Sequence, residues 1–127
     1  MLSNAPVCPT LPVVNLERAK KFYREVVGLK EAERSEPGGI NFECGEGTSL
    51  YIYERSTPTK ADNTACSFDV ENLEAEMADL RSKGVVFEEY DFPGLKTVNG
   101  IADMDGFKAA WFKDSEGNIL ALGEEKK

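Results

Sequence analysis

Apolar positions along the 127-residue chain change period several times. Leu16, Ala19, Phe22, Tyr23 and Val26 fall at the spacing of one helix face. Asn15 before them is a good N-cap, Glu17 lies in the first turn, and Gly28 supplies a left-handed stop. A second helical pattern follows Asn72, with Leu73, Met77 and Leu80 on one face and Gly84 as the stop. Lys83 stands in its last turn, where a cation suits the helix dipole. The remaining patterned runs are short and read as strands. CPTLPVV, LKEAERSE, INFECG and SLYIYE lie before residue 56, and ACSFDV, VVFEEYD, FKAAWFKD and NILALG after residue 63. Residues Phe92–Gly106 are rich in Gly, Pro and Asp and read as a long loop. Its Phe92, Leu95, Val98, Ile101 and Met104 must cover something, either as a lid over a cavity or as a flap on a partner subunit.

These elements repeat. Asn-Leu-Glu occurs at Asn15 and again at Asn72, and that offset aligns CPTLPVVNLE with ACSFDVENLE. A second echo aligns GEGTSLYIYE with SEGNILALGE, pairing Leu50 with Leu120 and Tyr51 with Ala121. Each half therefore reads as strand–helix–strand–strand–strand. The fold class is α+β, in one domain over residues 1–127. The first βαβββ module spans about residues 5–55, a linker 56–63, and the second module about 64–123.

Composition narrows the function classes. A net charge of −8 argues against nucleic acid, whose phosphates need Lys and Arg, and favours a cationic ligand through long-range steering. No apolar run approaches the ~20 residues of a membrane span. MLSNAPVCPT has no basic region followed by an apolar core, so a secretion signal is not expected there. A cytoplasmic setting with reduced, buried Cys8, Cys44 and Cys66 is the expectation. The sequence has no His, which removes the commonest general base, the usual partner of a Ser or Cys nucleophile, and the commonest metal ligand.

VVNLERAKKFYREVVGLK and WFKDSEGNILAL together resemble the opening helix and closing turn of the vicinal oxygen chelate superfamily, which includes glyoxalase I, bleomycin resistance proteins and extradiol dioxygenases. Ser115 and Glu116 stand where the family's closing turn usually has Pro-Asp. The resemblance implies two tandem modules forming an eight-stranded curved sheet around a cavity. It also implies four floor positions that hold metal ligands in metal-dependent members, here Cys8, Tyr51, Ala65 and Ala121. Two methyl groups, a thiol and a phenol do not make a site for a divalent metal, so neither metal nor other cofactor is expected.

The candidate cavity residues are Cys8, Thr10, Tyr51, Tyr53, Ala65, Ser67, Asp69, Trp111 and Ala121. Tyr51 and Tyr53 share a strand face and could stack on a flat ligand. Trp111 and Phe112 are neighbours, so only one can face inward. Asp69 shares a face with Ala65 and Ser67 and could hold a cationic group or act as a base. Cys8 has no nearby His or cation to activate it and reads as a core thiol. The expected function is metal-independent binding of a small molecule, such as a drug or metabolite, in the manner of bleomycin resistance proteins. The alternatives are a metal-free lyase or isomerase acting on a small carbonyl compound, and an accessory domain with a vestigial cavity. A homodimer is the expected assembly, by analogy with the fold.

Overall fold

A computed structural model describes residues 1–33 and 37–126. The chain separates into two compact units. The first comprises Met1–Ala61 with Ser115–Asn118, and the second Asp62–Asp114 with Ile119–Lys127. The boundary at residue 61 falls inside the segment read as a linker. The short closing turn, however, groups with the first unit, outside the module bounds drawn from the sequence.

In the first unit, β1 (Thr10–Val13) leads into α1 (Leu16–Lys21), followed by β2 (Lys30–Glu31), β3 (Gly39–Glu43) and β4 (Ser49–Glu54). The four strands form one sheet in the order β1-β4-β3-β2, with β1 parallel to β4 and the other pairs antiparallel. Asn15 caps α1 by accepting a hydrogen bond from the Arg18 amide at 3.0 Å. The helix then widens into a π-helical stretch over Phe22–Val27, which Gly28 closes at φ 84°. Leu11, Val13, Ile40, Phe42, Leu50 and Ile52 bury one sheet face against Ala19 and Tyr23. In the predicted LKEAERSE strand, Lys30–Glu31 pair with β3 and the Ala32 amide donates to the Asn41 carbonyl at 2.8 Å, and Arg34–Glu36 of that run lie outside the described residues.

The second unit begins with β5 (Thr64–Asp69) and α2 (Leu73–Ser82). Five strands follow: β6 (Asp91–Phe92), β7 (Leu95–Val98), β8 (Ile101–Met104), β9 (Phe107–Lys113) and β10 (Ile119–Glu125). They form a six-stranded sheet in the order β5-β10-β9-β8-β7-β6, parallel only between β5 and β10. Asn72 caps α2 through the Ala75 amide at 3.0 Å. Leu73, Met77 and Leu80 are buried with Phe87, Ala110, Phe112, Leu120 and Leu122.

The α+β class is therefore present, with one strand leading into a helix in each unit; the first unit has the βαβββ order, the second has five strands after its helix, and the strands divide between a four-stranded and a six-stranded sheet. Two sequence readings need correction. Residues 92–106 are not a loop. They form a meander whose three turns are Pro93-Gly94, Asn99-Gly100 and Asp105-Gly106. Each is a two-residue turn between antiparallel strands, the geometry that Asn-Gly and Asp-Gly favour. VVFEEYD is also not a continuous strand. It meets the sheet at an isolated Phe87–Phe112 bridge and at hydrogen bonds between Tyr90 and Thr97, and joins a ladder at Asp91. Among the described residues, no helix is long and apolar enough to cross a membrane.

Candidate functional site

Pairing register assigns each side chain of the second unit to a face. Ala121 pairs with Ser67 on one side and Trp111 on the other, and Gly123 pairs with Asp69 and Ala109. Directly paired residues point to the same face. Ser67, Asp69, Trp111 and Ala121 thus share the face opposite α2, while Ala65 falls at a register shift between β5 and β10 and has no direct partner there. Phe112 points to the buried side at 1% exposure, which settles the choice between it and Trp111. Ser67 and Asp69 are exposed on the edge strand β5. Ala121 is buried between its taller neighbours.

Trp111 is held in place from several sides. Its indole Nε1 donates to Thr64 Oγ1 at 3.1 Å, and its carbonyl accepts from the Glu88 amide at 2.8 Å. Tyr90 meets it edge-on with ring centroids 5.5 Å apart and planes at 73°. Phe92 adjoins Tyr90 at 5.9 Å and 58°. Tyr90 is itself fixed by exchange with Thr97, whose amide donates to the Tyr90 carbonyl at 2.9 Å and whose hydroxyl accepts from the Tyr90 amide at 2.8 Å. The result is a corner of three rings, with Phe92 53% exposed. Burial and the nearby negative charge of Glu88 raise the Tyr90 phenol above its ordinary pKa, so it stays protonated at neutral pH. Sequence reasoning missed Tyr90 and placed Phe92 in a loop. Its only legible trace was an aromatic pair next to a Pro-Gly turn.

In the first unit, Thr10 pairs with Tyr51 and Pro12 with Tyr53 on β1, and Asn41 and Gly39 face them on β3. The Tyr51 and Tyr53 rings are half-exposed and nearly parallel, 6.4 Å apart at 15°. The Tyr51 ring lies over Gly39, occupying the space a side chain there would fill. Gly39→Ala is therefore expected to swing Tyr51 off the sheet at a cost of about 1–2 kcal/mol. The change would show in the aromatic ring signals of Tyr51 by NMR. Cys8 lies just before β1, with its thiol donating to the Pro9 carbonyl at 3.5 Å. Among the described residues Cys8, Cys44 and Cys66 form no disulfide and are half-buried, less enclosed than the core thiols expected, because each sits at or beside a sheet margin. Burial, then the neighbouring Cys8, raises the Cys44 thiol.

The chain's closing segment also organises the starts of both helices. Glu116, with a side chain 1% exposed, accepts from the Val14 and Asn15 amides at 3.0 Å and takes both Arg18 Nε at 2.7 Å and Nη2 at 3.0 Å. The Arg18 hydrogen bonds outweigh burial and, with the amides and the Ser115 hydroxyl, lower its pKa to about 2. In the second unit, Glu124 accepts from the Leu73 amide at 2.8 Å, and Lys108 bridges it to Glu74. These carboxylates satisfy amide donors that a helix start leaves without intrahelical partners.

A family model described as the Glyoxalase/Bleomycin resistance protein/Dioxygenase superfamily matches residues 7–122. The chain belongs to this superfamily. Its fold is shared by a glyoxalase family protein from Bacillus anthracis at 19% identity, covering 97% of this chain and 96% of that one, with a TM-score of 0.76. It is shared by lactoylglutathione lyase from Agrobacterium tumefaciens at 19% identity, covering 95% and 93%, with a TM-score of 0.68. It is also shared by TnmS3, an antibiotic binding protein from Streptomyces sp. CB03234, at 23% identity, covering 99% of each chain, with a TM-score of 0.68. No curated protein matches the sequence.

Among the described residues of this superfamily member, no three His, Cys, Asp or Glu side chains converge as a metal site requires. Of the four positions implied as metal ligands, Ala65 and Ala121 carry only methyl groups, and Ala121 lies on the Trp111 face of the second unit. In the first unit the Tyr51 ring is laid over Gly39. The donor set does not fit a divalent metal. Two open hollows among the described residues lie away from these faces. One is an open depression of about 570 Å³ along α1, and the other, of about 500 Å³, lies where Glu74 and Lys108 meet Val98 and Ile101.

Proposed function

We propose that this superfamily member binds a small organic molecule without a metal, sequestering it rather than transforming it. The observation that carries this reading is the corner of Trp111, Tyr90 and Phe92 standing next to Ala121. A position implied for a metal ligand holds a methyl group, and the surface beside it is aromatic contact area. Aromatic rings of this kind offer large apolar contact at low conformational cost. The likeness to TnmS3, an antibiotic binding protein, supports the same reading at the level of the fold. The proposal includes a cytoplasmic homodimer, whose partner would cover part of the exposed Val86, Val98 and Phe107.

Trp111 is the chain's only Trp, so its fluorescence reports on this face without labelling. Titration with a panel of antibiotics and aromatic metabolites should change its emission. The same hits should raise the melting temperature, since saturation to a hundredfold over Kd adds about 2.7 kcal/mol. Trp111→Leu should weaken each hit by about tenfold. A panel in which nothing perturbs Trp111 or the melting curve would sink the reading, as would a stoichiometric metal found by elemental analysis.

A further inference from the structure

We propose that the Trp111–Tyr90–Phe92 corner is a seat for an organic cation of the quaternary or alkylated ammonium class. The inference rests on the small-molecule reading above and names the ligand chemistry it would select.

Two independent observations point to this class. The first is geometric. Tyr90 meets Trp111 at 73° and Phe92 at 58°, so the aromatic surface turns at Tyr90 into an open corner rather than a flat platform. A flat ligand stacks on one ring of such a corner, whereas a rounded ammonium group can contact several at once. Aromatic faces carry negative potential, and clusters of them recognise alkylated ammonium groups. The rings are pre-positioned by the Thr64 hydroxyl on Trp111 and by the Thr97 bonds on the Tyr90 backbone. Binding therefore needs little reordering.

The second observation is charge. The second unit holds 14 of the chain's 23 acidic residues but only 7 of its 15 basic ones, so it carries −7 of the net −8. This field draws cations toward the unit. Glu88 stands two residues before Tyr90, and its amide donates to the Trp111 carbonyl at 2.8 Å. Asp69 lies on the same sheet face, two strands across from Ala109 through Gly123, or roughly 10 Å away by strand spacing. Lys113 is the one cation on the same face of β9 near Trp111, and its ammonium is drawn 3.6 Å from the Glu88 carboxylate. An elongated ligand could place its ammonium in the ring corner and a second polar group toward Asp69.

The test compares choline with 3,3-dimethyl-1-butanol, which has the same shape with carbon in place of the charged nitrogen. Both are titrated into the full chain and followed by Trp111 emission and thermal shift. Choline should bind about tenfold tighter, the advantage expected of a partly desolvated cation–π contact. Phe92→Leu changes an exposed side chain and should leave the fold intact while narrowing that preference by about threefold. Tyr90→Leu, checked for folding by circular dichroism, should remove most of it. Equal affinity for the two compounds overturns the cation reading and leaves the small-molecule site standing. So does a failure of both while other members of the panel still perturb Trp111. A preference that survives both variants places the cation elsewhere and overturns the assignment. If no compound of any kind binds, both readings fall.

Discussion

Replacing Glu116 by Ala should destabilise the protein by about 2–4 kcal/mol, the largest loss expected from any surface-proximal substitution in this chain. Two helix-start amides would lose their acceptor, and Arg18 its two-pronged partner. Arg18 is 55% exposed and can turn to water, which keeps the loss below that of a fully buried pair. Glu116→Gln keeps the shape but not the charge and should cost roughly half as much. The acid dependence has a definite sign. A carboxylate whose folded pKa is lowered stabilises fully above its unfolded value and ceases to do so as pH falls through the folded one. The difference between wild type and Glu116→Gln should therefore be constant above about pH 5. It should shrink from the ordinary pKa of 4.5 and vanish near pH 2. Urea unfolding at several pH values measures it. A gap that persists undiminished at pH 2.5 would show that the charge is not what Glu116 contributes.

Gly100→Ala should follow closely, at about 2–4 kcal/mol. Gly100 sits at φ 81° after Asn99 at φ 53°, in the left-handed turn joining β7 and β8. A Cβ there would stand 3.0 Å from Phe87 Cβ, 3.1 Å from Arg81 Nη2 and 3.2 Å from Met77 Cε. Arg81 is committed to the Asn99 carbonyl at 2.8 Å and to the Phe87 ring at 5.2 Å, so it has little room to retreat. Gly106 provides the control. It has φ 86° but nothing within 4 Å of a built Cβ, so Gly106→Ala should show only the conformational penalty of about 1 kcal/mol. Equal losses at the two positions, measured by urea unfolding, would show that the crowding at Gly100 relaxes freely.

Much of this molecule was legible before any coordinate. The Asn-Leu-Glu echo located both helices, and Asn15 and Asn72 each cap one. The alternation in SLYIYE separates Leu50 and Ile52 on one strand face from Tyr51 and Tyr53 on the other, and the burial of β4 follows it. The β6–β8 meander is hidden in the sequence because its Gly and Pro read as loop formers. Their arrangement as two-residue turns between short alternating runs carried the better information. The π-helical widening at Phe22–Val27 left no local signal, since the same apolar spacing serves an α-helix. Glu116 was visible as a departure from the family's usual closing turn, but its partners lie about a hundred residues away in sequence.

By itself, the sequence determined the α+β class, the tandem repeat, the two capped helices, the family, and the absence of His and of carboxylates at the implied metal positions. Those features are local or periodic, and a short window of residue types suffices to encode them. Only the tertiary structure decided that Tyr90 and Phe92 join Trp111, that Tyr51 folds over Gly39, and that the closing turn clamps the start of α1. Each of those depends on strand register and on contacts between residues distant in the chain, which periodicity does not specify.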